Sequence, residues 1–180
     1  MILSKFNNKN FDRGATRLKE FLWIVTGSIL ISCWVPGSLW RVAILSLFGA
    51  NIGKKVIMKP GIKVKFPWRL SIGDYSWIGE DVWIDNLYFV NVGSEVCISQ
   101  GTYLCTGSHD WTSTYFDLIV KPINIQSNVW ICAMCRIAPG VNISHGCIVG
   151  FGSVLTKSLE PWSIYKANSQ TIGITKRAIN

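Results

Sequence analysis

From Ile72 onward the hydrophobic positions follow neither the helical period nor simple alternation. An aliphatic residue recurs every six positions at Ile72, Ile78 and Ile84, and after a slip of two at Val92, Ile98 and Leu104. After a longer interruption the series runs unbroken through Ile125, Ile131, Ile137, Ile143, Val149 and Leu155. Four residues after each aliphatic the chain is small or β-branched at ten of the twelve repeats, with Tyr88 and Leu159 as the exceptions. A fainter copy begins at Ile52, Met58 and Val64. A period of six is what short strands separated by tight corners produce. The aliphatic points inward, the small residue fits beside the corner, and Gly or Asn tolerates unusual backbone angles there. Coils built this way stack strand on strand into a solenoid, so the expected fold is all-β.

The first fifty residues break from this pattern. Lys5, Lys9, Arg13, Arg17 and Lys19 precede a run without charge from Phe21 to Trp40, and Pro36-Gly37 interrupts that run before Arg41 opens a second apolar segment. About fifteen apolar residues precede Pro36, short of the ~20 a spanning helix needs. Three roles stay open for residues 1–50: a membrane-surface helix pair, a helix packed on the solenoid, or a span. An open solenoid exposes its end strands, and this segment and the tail after Leu155 are the available covers. The expected organisation is a basic, apolar and helical segment 1–50, a solenoid 51–160 with a loop extruded at 107–122, and a tail 161–180.

Composition narrows the partners. The 180 residues include 18 Lys and Arg against 10 Asp and Glu, giving a net charge of +8, with 49% hydrophobic and 16% charged. Disorder is excluded by that apolar content. The excess of positive charge suits an anionic partner. The basic residues form no stripe interleaved with aromatics, so no nucleic-acid partner is expected. Of six Cys, Cys132 and Cys135 form a lone CxxC with no matching second pair. The hexad explains Cys135 and Cys147 as small inward residues, reduced as in a cytoplasmic protein. No metal site is expected, because the chain has only two His and its one CxxC has no matching second pair.

The interruption between Leu104 and Ile125 carries one of them, His109, beside Asp110 and Trp111. A solenoid can extrude a loop at a corner without disturbing its core, and such loops commonly carry function. His145 falls at a corner inside the repeat and is expected to be an exposed turn residue. A weak nucleophile such as an alcohol needs a base to take its proton as it attacks. A largely neutral imidazole supplies one, typically worth ~10²–10⁴ in rate.

The hexad, an aliphatic followed by Gly, Ala, Glu or Asp and then a small residue three further on, resembles the repeat of the left-handed parallel β-helix acyltransferases. Longer segments resemble the WcaF-like acetyltransferases of exopolysaccharide assembly: Leu47 to Lys54, Pro67 to Leu70, Ile72 to Tyr75, and Tyr103 to Asp110. The resemblance implies a homotrimer with sites between neighbouring subunits. It implies transfer of acetyl from acetyl-CoA to a sugar hydroxyl, on a lipid-linked intermediate at the cytoplasmic face of the inner membrane. N-acetylation of an amino sugar nucleotide, or a non-catalytic scaffold, are the alternatives. By the same resemblance His109 is the base. Ala133, Phe151, Gly152, Thr156, Lys157 and Arg177 would meet the cofactor, with Phe151 standing where the family has a small residue. Asp85 and Asn86 would line the acceptor pocket. Asp110 or a backbone carbonyl would orient His109. The family's closing motif is altered over Ala167 to Ile172, where its Pro is missing.

Overall fold

The structure, a computed structural model, describes residues 2–167 and 172–178. The hexad winds as expected into a parallel β-helix of three faces, with sheets of five, seven and five strands and a two-stranded hairpin beside them. The first face stacks Asn51–Ile52, Leu70–Ile72, Val90–Val92, Ile123–Ile125 and Asn142–Ile143. The second begins with Ile57–Met58 and the third with Lys63–Val64, and each gains one strand per coil. All twelve hexad aliphatics are buried, forming one continuous core column with their small partners. Full burial of each such side chain is worth roughly 1.5–3 kcal/mol, so the column is the main source of stability.

Outward positions also stack in register. The first face carries Asn51, Ser71, Asn91, Asn124 and Asn142. The second carries Ile57, Trp77, Cys97, Trp130 and Ile148, an apolar column with both indoles about half exposed.

The corners show a rule the hexad alone did not reveal. The residue three places after the aliphatic sits in the left-handed region, and it is often not glycine: Lys55, Tyr75, Asp81, Glu95, Asn128 and Met134 all have φ between 54° and 62°. The glycine directly after the aliphatic has a different reason. A Cβ on Gly73 would stand 2.6 Å from the backbone of Gly93 and Ser94 in the next coil.

Coil length varies at one corner alone, between the third face and the first. Ile52 pairs with Ile72, and Ile72 with Val92, twenty residues on, whereas Ile125 pairs with Ile143, eighteen on. The extra residues fall after Val64, after Ile84 and, as the long loop, after Leu104.

The two ends finish differently, the first under helices and the last in a hairpin. At the start, α1 (Arg17–Thr26), a π-helical turn Gly27–Ile31 and α2 (Leu39–Leu47) fold over the first coil. Trp23, Ile31 and Leu45 join the core, and the Trp23 indole donates to the Val64 carbonyl at 3.1 Å. Of the three roles open for this segment, packing on the solenoid is therefore realised. No described helix is long and apolar enough to cross a membrane. At the far end Ser163–Ala167 adds to the second face and pairs antiparallel with Ile172–Lys176.

Candidate active site

The enlarged corner is a stack of three layers held by side chains. In the lowest, Phe66 is the backbone partner of Asn86 above it: Asn86 Oδ1 accepts from the Phe66 N–H at 2.9 Å, and Asn86 Nδ2 donates to the Phe66 carbonyl at 2.6 Å. Arg69 donates to the Leu87 carbonyl and stands over the Phe66, Phe11 and Tyr88 rings. In the top layer Thr106, fully buried, donates through Oγ1 to the Asp85 carbonyl and accepts from the Tyr88 N–H at 2.9 Å. Thr106 thereby pins the base of the extruded loop to the coil below.

The loop is a hairpin, Gly107–His109 against Leu118–Val120, with His109 opposite Leu118. Its tip turns back so that Phe116, at φ 56°, offers its carbonyl to His109 Nδ1 at 2.8 Å. A carbonyl only accepts, so Nδ1 carries a proton, and in the neutral ring the lone pair lies on Nε2. The Phe116 ring stacks on the imidazole at 3.9 Å and 3°, and Phe6 meets it edge-on at 5.4 Å. The ring is therefore fixed in both tautomer and plane. Asp110 is not its orienting group. Its Oδ1 accepts from the Thr112 N–H and hydroxyl, which hold the carboxyl below its usual range.

Beside the hairpin lies a cleft of about 370 Å³ lined by Asn7, Asn8, Asn10, Phe11, Asp12, Arg69, Tyr88 and Asp117, with Leu118 and Val120. The N-terminal segment closes it. Ile2 donates its N–H to the Thr114 carbonyl, Arg69 donates to the Asp12 carbonyl at 2.5 Å, and the Trp68 indole donates to the Arg13 carbonyl at 2.8 Å. Amides, carboxylates, a guanidinium and two aromatic faces in one open groove suit a hydroxyl-rich ligand.

The other sequence-derived candidates separate. Asp85 is half-buried below the hairpin base; its Oδ2 accepts from the Tyr103 hydroxyl at 2.9 Å and its Oδ1 lies 3.3 Å from Lys65 Nζ. Burial, with Cys105 and Asp85 alongside, pushes the Tyr103 phenol well above its usual range, so it remains a donor. Asn86 turns the other way. It is fully buried and both ends of its amide are spent on Phe66, leaving nothing to offer a sugar. Ala133, Phe151 and Gly152 share the corner between the second and third faces, where Gly152 donates its N–H to the Ala133 carbonyl at 2.9 Å. Phe151 is exposed, and the space where a Gly152 Cβ would point is open. Thr156 and Lys157 are exposed on the enlarged corner, two coils from the third-face strand Tyr103–Cys105 that leads into the hairpin. Arg177 is apart from these, at the corner between the first and second faces, where it donates to the Gly146 carbonyl at 2.9 Å and lies over the Trp162 ring. The altered motif at Ala167 to Ile172 lies mostly outside the described residues. His145 is half-buried, edge-on to Trp162, rather than exposed. The Cys135 thiol donates inward to the Gly150 carbonyl at 3.1 Å, as a core residue of the repeat.

Residues the sequence reading did not single out are Phe6, Phe116, Thr106, Arg69, Tyr88 and the Asn7–Asp12 stretch. The eight-residue gaps after Val64 and Ile84 are a signal for Arg69 and Tyr88. Nothing local marks the N-terminal stretch, which reaches the site only through tertiary folding.

A solenoid with one imidazole on an extruded hairpin is the architecture of a hexapeptide-repeat acyltransferase. The chain is 38% identical over 172 residues, 94% of each chain, to WcaF of Escherichia coli K12, provisionally named a colanic acid biosynthesis acetyltransferase. Its fold matches a hexapeptide-repeat acetyltransferase of Vibrio cholerae, solved with acetyl coenzyme A, at TM-score 0.77 and 24% identity over 93% of this chain and 92% of that one. It also matches a maltose O-acetyltransferase of Clostridium difficile at TM-score 0.80 and 20% identity, over 91% and 88% of the two chains. No model of a protein family matches it. The protein belongs to the WcaF-like hexapeptide-repeat acetyltransferases and is an acyl-transferring enzyme.

Proposed function

We propose that the protein transfers acetyl from acetyl-CoA to a hydroxyl of a saccharide, with His109 as general base. The observation that carries this reading is the fixed imidazole: Nδ1–H is held by the Phe116 carbonyl, so Nε2 is the nitrogen able to take a proton. His109 Nε2 removes the proton as the acceptor oxygen attacks the thioester carbonyl, and the imidazolium returns it to the departing thiolate. The acceptor sits in the cleft between Asn7–Asp12 and the hairpin, where Tyr88 and Phe11 offer flat faces to a sugar ring and Arg69 and Asp117 offer polar edges. Asp85 with Lys65 and Tyr103 borders the same corner and steers the acceptor's approach.

The donor lies along the later coils. Lys157 supplies a cation for the cofactor's phosphates, Thr156 a hydroxyl, and the open Gly152 corner with Ala133 room for the pantetheine arm. The exposed Phe151 ring gives it a flat apolar surface. Arg177, at the corner between the first and second faces, would meet a cofactor held by a neighbouring protomer. That fits a homotrimer with each site between neighbours, and the apolar column of Trp77 and Trp130 is a surface a neighbour would cover. The acceptor is carried on a lipid, with the enzyme at the cytoplasmic face of the inner membrane.

The test follows free thiol from acetyl-CoA while free and lipid-linked oligosaccharides are screened. Turnover with hydroxyl acceptors and its loss in His109→Ala support the reading. An amine-only profile points instead to N-acetylation, and failure to bind acetyl-CoA in calorimetry points to a scaffold. Light scattering giving three times 20.1 kDa is the expected mass.

A further inference from the structure

The helical cap is turned inside out for a surface in water. Its inward face is already used, by Trp23, Ile31 and Leu45 on the first coil. Its outward face ought then to be polar. Instead α1 and the π-turn present Leu18, Phe21, Leu22, Val25 and Ile29, an exposed apolar stripe at spacings of three and four. On α2 the positions Leu39, Ala43 and Leu47 form a second exposed stripe, with Leu39 at 87% and Leu47 at 82% exposure.

The loop between the helices adds an independent observation. At its tip Trp34 and Val35 are exposed, yet the loop's carbonyls are not left to water. Arg41 is fully buried, and its guanidinium donates to four of them: Ile31 at 3.2 Å, Gly37 at 2.7 Å, Cys33 at 2.5 Å and Val35 at 2.7 Å. The Trp40 ring covers the same guanidinium at 4.1 Å. Such a clamp suits a loop placed in hydrocarbon, where every backbone polar group must be satisfied internally.

Charge selects the occupant. No charged side chain lies between Phe21 and Trp40, while Lys5, Lys9 and Arg17 at the start form no ion pair among the described residues. An anionic lipid leaflet would attract these cations. We propose that residues 17–47 are a monotopic anchor, with the outer faces of α1 and α2 and the Trp34-Val35 tip immersed in one leaflet of an anionic membrane. The anchor does not depend on the transfer chemistry. It does place the cleft, which the preceding residues Asn7–Asp12 line, on a chain tethered to the surface where a lipid-carried acceptor would arrive.

The test is flotation of the full-length protein with vesicles of phosphatidylglycerol and phosphatidylethanolamine, against vesicles of phosphatidylcholine. The wild type is expected to float with the anionic vesicles and less with the zwitterionic ones. Phe21→Asp with Val25→Asp is expected to reduce the bound fraction at least ~10-fold, since two immersed side chains are lost and two charges gained. Both positions face outward, so the melting curve should hold; should that pair fail to fold, Leu39→Ser with Leu47→Ser serves the same purpose. Brominated acyl chains should quench tryptophan fluorescence, and Trp34→Phe should remove part of that quenching. A wild type that stays at the bottom of the gradient overturns the proposal. So does a folded Phe21→Asp/Val25→Asp variant that floats as well as wild type, or one that changes oligomeric mass while vesicles bind neither form.

Discussion

Asn86 gives the sharpest test of how the enlarged corner works, because sequence and structure assign it different jobs. Beside Asp85 on a corner it reads as an acceptor ligand; in the fold it is 0% exposed and staples its own layer to Phe66. Replacing it with Ala leaves two buried backbone groups of Phe66 unpaired. At ~1–3 kcal/mol each, the loss is roughly 4 kcal/mol. For a domain of this size each kcal/mol moves the midpoint by ~2–4 °C, so Asn86→Ala should melt about 8–16 °C lower. Asn86→Asp separates the two ends of the amide. The carboxyl can still accept from the Phe66 N–H, but once ionised it faces the Phe66 carbonyl with no donor. Burial raises the pKa of such a carboxyl, so the sign is fixed: the variant regains stability at low pH, where its O–H can donate, and loses it as pH rises through that raised value. The assay is thermal or urea unfolding at pH 4.5 and pH 8, alongside acceptor KM. An Asn86→Ala protein with an unchanged midpoint and a raised acceptor KM would refute the reasoning and restore the sequence reading.

His109→Ala should lower kcat by ~10²–10⁴ with the melting midpoint unchanged, measured by thiol release; a loss below tenfold would remove it as the base. Gly73→Ala should fail to fold or lose most of its stability, since its Cβ would stand 2.6 Å from backbone. Gly152→Ala meets only its φ of +67° and open space, so it should lose about 1 kcal/mol; equal midpoints for the two would contradict the packing. Burial pushes the thiols of Cys135 and Cys147 up, leaving little thiolate near neutral pH. Both should resist iodoacetamide at pH 8 in native protein and react in urea, as mass spectrometry would show.

The solenoid was legible because each hexad answers to a local demand, one inward aliphatic and one small partner, that recurs without reference to distant residues. His109 was legible for a related reason: an interruption in a strict period stands out. The corner's left-handed residue was not, because Lys, Tyr, Asp, Glu, Asn and Met fill it as often as Gly does. Asp85 and Asn86 adjoin in sequence, and only the turn of the chain between them sends one outward and the other into the stack. Of the two orienting groups the sequence left open for His109, Asp110 or a backbone carbonyl, the hairpin supplies the carbonyl, and which residue provides it, Phe116, is nothing composition can mark. The acceptor cleft was least visible of all. Half of it comes from residues 7–12, which reach the hairpin because Trp68 and Arg69 hold the Asp12 and Arg13 carbonyls.

The three insertions at one corner tie these observations together. A parallel β-helix can take extra residues at any of its three corners without displacing the inward aliphatics of its strands. Here all of them fall between the third face and the first, in three successive coils, and polar side chains bind each layer to the next: Asn86 to Phe66, Arg69 to Leu87, Thr106 to Asp85 and Tyr88. That stack is a buttress. A hairpin extruded from an ordinary corner would pivot on two strands; this one stands on a pillar two layers deep, and the N-terminal segment is strapped to the same pillar through Arg69 and Trp68. The hairpin that carries the imidazole and the cleft lined by its second strand thus share one foundation, separate from the aliphatic column that holds the fold. Substitutions in the pillar should for that reason disturb catalysis and acceptor binding together, whereas substitutions on the other two corners should touch only stability or donor binding.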